Sequence, residues 1–531
     1  MVERPSGTLD TLSLAETLQQ AHQIHTLYEP SPLIVTAVHR LLVAILQDIY
    51  QPQETPDLVA IWRTGHFEPA RITAFGEAYE DRFDLFSEEA PFLQTADLNR
   101  QPAKGDKAKP VGYLLQEQTV GTAVTHYNHA YDDSQIFCSH CAAKGLLVIP
   151  PFASSGGAGI KPSINGVPPI YVLPGGDTLF QSLVASLTTS QSNFQPGSHK
   201  DDLVWWQRPL PVVITEKEEV RRVGYLHSLT FPARRVRLHP TPMSTACTRC
   251  GQQTTWGVQT MVYAMGQSRP KKAPFWRDPF AAYRIPKKAD DAPLPVRPVE
   301  GRSLWREFAT LFLPDKANES GLKALQPAIL EQFNEVWQQD RNVLPYTGIP
   351  LRTIGLRTDM KMKIFEWEEA GFAIPPRLLT DTDAAYYIRQ GIDFAQRAGS
   401  TLTSTFSQYF GTGGDRYAAV KNQMVQNYWQ QLGQRFHRHI QRHTPEADAY
   451  ILFHQWLDDV LLVAKGAFEK AALSLPATGD APVPSRVKRY SGLKRTSIKM
   501  IRLREDAMVD CARFLYGYRK KNYPKPKEVV T

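Results

Sequence analysis

The chain has 531 residues, 42% hydrophobic and 21% charged, with a formal net charge of +8 and five cysteines. That is the balance of an ordinary soluble protein, long enough for two or three domains with cores that need no disulfide staples. The start, Met1 to Gly7, has no basic segment leading into an apolar one, and runs such as Leu41–Leu46 are too short to span a bilayer, so a cytosolic protein with no membrane partner is expected.

In chain order, Ser13 with Glu16 three residues on forms a capping box at the entry to a first helix. Residues 33–50 are apolar on most faces and predict a buried core helix, with His39 as a core histidine. Residues 51–110 alternate short helical patterns with loops. The stretch from Tyr127 to Lys161 is the densest part of the sequence. It holds an aromatic and polar loop, Cys138-Ser-His-Cys141, an apolar run to Phe152, and the glycine loop Gly156-Gly-Ala-Gly159 closed by Lys161. A short strand is predicted at Pro169–Pro174, followed by a helix opening after Gly175. A helical turn, a basic strand around 231–238 and a second Cys-x2-Cys, Cys247 and Cys250, come next. Residues 267–276 form a basic, proline-rich loop. Residues 354–367 read as strand, turn near Thr358–Met360, and strand.

After Pro375-Pro376 strand signals vanish. Four long helical patterns follow, near 380–410, 414–442, 445–473 and 493–521, which is a four-helix bundle pattern. The last is expected to bury Ile498, Ile501, Met508, Cys511, Leu515 and Tyr518 along one stripe. Residues 481–531 hold 14 Lys and Arg against 4 Asp and Glu. So basic a segment points to an acidic partner, nucleic acid first, with a solvated tail as the alternative.

Two Cys-x2-Cys turns supply four thiolates in the set that tetrahedral zinc prefers, so Cys138, Cys141, Cys247 and Cys250 are the candidate ligands of a structural Zn2+. A redox dithiol and plain core cysteines are the alternatives. His126, His129, Asp132 and Asp133 could serve a metal-dependent hydrolase, but a loop contacting nucleic acid suits them better. The glycine loop lacks the Gly-Lys-Ser/Thr of a P-loop. Its glycines allow close backbone approach to a ligand, and Lys161 suits a phosphate or groove contact. No nucleophile elbow or nucleophile/base set is present, which favours a binding protein over an enzyme.

The order of these features resembles the large subunit of the type I-E CRISPR surveillance complex Cascade, the CasA family. They are the helix with Leu41-Leu-Val-Ala-Ile-Leu46, Cys-x2-Cys before a glycine loop and strand, Cys247-Thr-Arg-Cys-Gly-Gln252, Gly355-Leu-Arg-Thr-Asp-Met-Lys361 and four terminal helices. The resemblance implies an α+β chain: a mixed α/β, PAM-recognising domain over 1–376 with a zinc site, and a four-helix bundle over 377–531. It implies recognition of the short protospacer-adjacent motif (PAM) on double-stranded target DNA, help in opening the duplex, and recruitment of a helicase-nuclease in antiviral defence, with no catalysis by this chain. By the same resemblance Gly156, Gly157, Ala158 and Gly159, with Lys161, match the PAM-reading loop. Tyr127, Asn128 and His129 match the loop that meets the guide RNA 5′ handle and other Cascade subunits. Thr358, Asp359, Met360 and Lys361 match the wedge that splits the duplex, with Met360 and Asp359 where the family carries glutamine and asparagine. Lys271 and Lys272 are candidates for the minor-groove lysine, with Arg269 as rival. A non-reading assembly scaffold is the remaining alternative.

Overall fold

The computed structural model describes residues 1–98, 108–116, 134–153, 161–190, 202–210, 212–215, 218–270, 272–286, 288, 291–314, 324–343, 348–358, 364–411, 417–484, 487–491 and 497–524. It is a mixed helix-and-strand chain that divides into two compact units. The first runs from Met1 to Ala373 apart from short stretches, and the second runs on from Ile374 and takes in Trp305–Ala309.

In the first unit, β1 (Val2–Glu3) lies between β2 (Leu9–Asp10) and β3 (Thr26–Leu27). Helix α1 (Leu14–Gln19) starts at Ser13, whose side chain and that of Glu16 each accept from the other residue's backbone N–H, as the sequence predicts. Helix α2 (Pro32–Tyr50) has proline in its first turn, where a missing N–H costs nothing. It is long and apolar enough to cross a bilayer, so the expectation that every apolar segment is too short does not hold. The fold nevertheless buries 78% of that span, which makes it a core helix. Its Arg40 forms a two-pronged pair with Asp278, 3.1 Å on each side, with side chains 2% and 0% exposed. The rings of Tyr171 and Phe280 cover the guanidinium.

Helices α3 (Thr55–Thr64) and α4 (Pro69–Tyr79) follow, then the short strand β4 (Ala108–Pro110). Helix α5 (Ser139–Phe152) takes in the apolar run after the first cysteine pair, with Pro150 and Pro151 in its last turn. The carbonyls there are satisfied from outside: Ser163 donates to Pro150 and Tyr171 to Pro151. Strand β5 (Tyr171–Pro174) and α6 (Leu179–Val184), capped by Thr178, lie where sequence predicts them. Helix α7 (Tyr225–Leu229) leads to a long hairpin of β6 (Arg234–Ala246) and β7 (Gln253–Met265), with β4 on the outer side of β7. Its register slips at Pro240 and again after Pro242, since proline cannot donate to the ladder. The hairpin's base is buried and its tip exposed.

Short strands β8 (Tyr283–Arg284), β9 (Leu294–Pro295) and β10 (Ala324–Leu325) form a small sheet, with α8 (Phe308–Phe312) before β10 in sequence and α9 (Ala328–Gln339) after it. Strands β11 (Ile349–Thr358) and β12 (Ile364–Ile374) make the expected second hairpin, and β5 pairs with the far side of β11.

In the second unit, the short α10 (Arg377–Thr380) precedes α11 (Thr382–Phe410), α12 (Ala418–Gln441), α13 (Ala449–Ser474) and α14 (Met500–Asn522), and these four long helices pack on one another. Asp381 and Asp448 cap α11 and α13 by accepting two backbone N–H groups each. Trp305 packs against Trp429, Phe436 and Trp456. The last helix begins later than its periodicity predicts, because Ser497–Lys499 (β14) pairs with Asp480–Pro482 (β13). Its buried stripe is also rotated: Met500, Leu503, Ala507, Cys511 and Leu515 face inward, while Ile501 is 53% exposed. Arg504 explains the turn, since it reaches inward to donate to the terminal carbonyls of Leu473 and Leu475.

Candidate metal centre and nucleic-acid interface

The two cysteine pairs, 105 residues apart in sequence, meet because α5 begins beside the tip of the β6–β7 hairpin. Cys138 is the residue that caps α5 and Cys141 sits in its first turn. Cys247 directly follows β6, and the turn back to β7 carries Cys250 and Gly251, the latter at φ +74, where glycine is unstrained. Backbone bonds clamp the two parts: Phe137 and Val258 exchange N–H···O bonds of 2.9 Å, and the Thr248 N–H donates to Ile136. All four Sγ atoms lie within 4.8 Å of one another, and those of Cys138 and Cys250 are 3.8 Å apart. Three of the four residues are buried.

The electrostatics are divided. Burial raises the Cys138 and Cys141 thiols, and the crowding of the other sulfurs pushes Cys141 higher still. Burial also opposes charge on Cys247, but backbone N–H groups of Cys138, Cys250 and Arg249 donate to its sulfur and bring it down to about 7. A thiolate is thus favoured at Cys247 and opposed at Cys138 and Cys141, and a positive charge among the sulfurs would favour ionisation at all of them. The cluster could hold one metal ion. The fifth cysteine, Cys511, is core: it is 1% exposed and burial pushes its thiol up to about 12.

Of the candidate nucleic-acid residues, Lys161, Lys272 and Thr358 are described. Tyr127, Asn128, His129, Gly156, Gly157, Ala158, Gly159, Lys271, Asp359, Met360 and Lys361 lie outside the described residues, as do His126, Asp132 and Asp133. Lys161 is half exposed and pairs with Glu219 at 2.9 Å. Its backbone is anchored at the hairpin's base, where its N–H approaches the Met265 sulfur and its carbonyl accepts from Arg234. Glu219 in turn bridges Ser268 in parallel fashion, with Ser268 and Val220 bonded through their backbones. The end of the glycine loop is therefore tied to the start of the basic loop that carries exposed Lys272. Arg269 is folded back onto the Pro274 carbonyl, so it braces that loop. Thr358 ends β11, where Arg357 pairs with Glu366 across the hairpin at 2.6 Å. Glu219 and Ser268 escape sequence reasoning, because a pairing across 49 residues leaves no local periodicity to find.

The model of the family described as CRISPR-associated protein Cse1 matches residues 1–472. The chain belongs to the Cse1 family. A Cse1 relative, the CasA/Cse1 protein of Thermus thermophilus, is 28% identical over 75% of this chain and 73% of its own length. The crystal structure of Cse1 from Acidimicrobium ferrooxidans shares the fold at a TM-score of 0.74 and 18% identity, over 97% of this chain and 96% of that one. A chain of a structure described as a CRISPR RNA-guided surveillance complex is similar at a TM-score of 0.70 and 18% identity, over 97% of both chains. The Cse1 fold therefore extends beyond residue 472 into the last of the four long helices.

Proposed function

We propose that this chain is the large, non-catalytic subunit of a type I-E CRISPR surveillance complex. In that role it reads the PAM on double-stranded DNA, helps open the duplex for pairing with the guide RNA, and recruits the helicase-nuclease. Residues 1–376 serve as the reading domain and 377–531 as the helical domain. Membership of the Cse1 family supports the complex. The observation that best supports the reading role is the tether Lys161–Glu219–Ser268, which links the end of the glycine loop to the loop of Lys271 and Lys272. An exposed ion pair is worth about 1 kcal/mol or less, so a phosphate or a base edge can take Lys161 from Glu219 at little cost.

Backbone and lysine contacts in the minor groove suit a short, tolerant motif, because that groove distinguishes base pairs poorly. Guide pairing supplies the remaining specificity. Met360, in the segment between β11 and β12, is an apolar residue able to wedge between base steps, with Thr358, Asp359 and Lys361 as its sequence neighbours. Tyr127, Asn128 and His129 are assigned to the guide RNA handle and neighbouring subunits. Zn2+ is the ion assigned to the four cysteines: bonds of about 2.3 Å to a central zinc place tetrahedral sulfurs about 3.8 Å apart. It ties α5 to the hairpin.

The test is Lys271→Ala with Lys272→Ala in the guide-loaded complex. Binding to DNA carrying the correct motif is expected to weaken at least tenfold, with a shallower dependence on salt. Unchanged binding would remove the lysine assignment. The isolated chain, supplied with divalent metal, is expected to leave nucleic acid uncut.

A further inference from the structure

Among the described residues the helical unit carries a second basic feature, unconnected with the four cysteines or the glycine loop. Arg435, Arg438 and His439 of α12 and Arg442, the residue that ends it, recur at helical spacing and line a cleft of about 300 Å³ together with Asp459 of α13. Arg435 and Arg438 stand in the last turns of α12 and Arg442 at its C-terminal cap, where the negative end of the helix dipole favours cations. Among the described residues only Arg435 of the three has a carboxylate partner, Asp459. Arg442 donates to the neutral amide of Gln455 at 2.5 Å, and exposed Arg438 has neither an ion pair nor a hydrogen bond among the described residues. The lining thus carries three positive charges against one negative.

His439 is the second, independent sign. It is 5% exposed, stacks on Trp456, and has no hydrogen-bond partner among the described residues although it faces the cleft. Behind it His443 is 1% exposed, with both ring nitrogens unpartnered. A buried imidazole with neither nitrogen paired, as at His443, is ordinarily costly, and the His439 ring in front of it opens to the cleft. Burial keeps both rings neutral, so each offers one donor and one acceptor.

The geometry points to an oxyanion site in this cleft, with Arg438 and Arg442 as paired forks on a phosphate group and His439 donating from the floor. Planar guanidinium forks match phosphate oxygens two at a time, and the cleft has room for one or two phosphate groups. A free polyphosphate and the phosphodiester chain of a single strand share this chemistry. The site lies in the helical unit and does not rest on the PAM-reading role proposed for the other.

The full chain would be titrated calorimetrically with inorganic pyrophosphate and, separately, with an oligo-dT strand, alongside Arg438→Gln/Arg442→Gln. Both substitutions are at exposed positions, so the variant is expected to melt with the wild type. Saturable binding of pyrophosphate that weakens at least tenfold in the variant supports the site with a free phosphate as its ligand. The same loss seen with oligo-dT alone supports it with a nucleic-acid strand as the source. Absence of saturable binding of either probe, or binding that the two substitutions leave unchanged, overturns the proposal.

Discussion

His39 and His227 show how single buried groups set the acid response of the first unit. Burial, reinforced by Arg40 and Arg352 for His39 and by Arg208 for His227, brings each ring down to about 3. Each keeps one bond, to Ser186 at 2.8 Å and to Gln267 at 2.9 Å. The unfolded rings titrate near 6.5, so between pH 6.5 and 3 the unfolded chain binds more protons than the folded one. The stability these neutral rings allow is complete above about pH 6.5 and declines as pH falls toward 3, by roughly 2 kcal/mol for each at pH 5. Urea midpoints measured at pH 7.5 and pH 5 should show this fall, and His39→Gln should make it shallower. A slope unchanged by that substitution would contradict it. Asp278→Asn leaves the Arg40 charge buried without its counter-ion and should cost roughly 3–5 kcal/mol in the same measurement. Replacing Cys138 and Cys247 by serine should abolish bound zinc in metal analysis and lower the melting temperature, since metal binding and folding are linked. A wild-type protein free of zinc would remove the zinc assignment.

At the scale of elements, helix contacts are set by what the small residues admit. A Cβ added at Gly391 of α11 would stand 2.5 Å from the indole of Trp456 on α13. Alanine favours helix over glycine by about 1 kcal/mol, but forcing a rigid indole aside costs about 1–3 kcal/mol. Gly391→Ala should therefore destabilise the protein in thermal melts; a rise in melting temperature would show that α13 yields. Elements with local signals were legible in the sequence: the Ser13 capping box, the apolar α2, the strand at 171–174, and the hairpin around 358–364. The later start of α14 was hidden, because β13 pairs with β14 across a gap that periodicity does not cross. The rotation of its stripe was hidden as well: Arg504 counts as polar by composition, yet it is spent inside on the carbonyls of α13. The metal centre was legible as a residue set from two Cys-x2-Cys turns. The Lys161–Glu219–Ser268 tether was not, because an ordinary glutamate and serine carry no motif.

At the scale of the whole molecule, the family model makes this a Cse1 protein, and its fold is that of solved Cse1 structures. Under the proposed function its two units have different tasks. There the first joins the helix and hairpin that carry the cysteines to two loops proposed to approach DNA, and the second presents a basic helical surface. Phosphate contacts of that kind make affinity fall steeply with salt, whereas motif reading shows as a difference between sequences at fixed salt. The most direct measurement is a gel-shift of the guide-loaded complex, with and without this chain, on target duplexes whose PAM positions are randomised. Binding is expected to select a restricted set of motifs only when the chain is present. Binding of equal strength to every motif, with or without the chain, would contradict it.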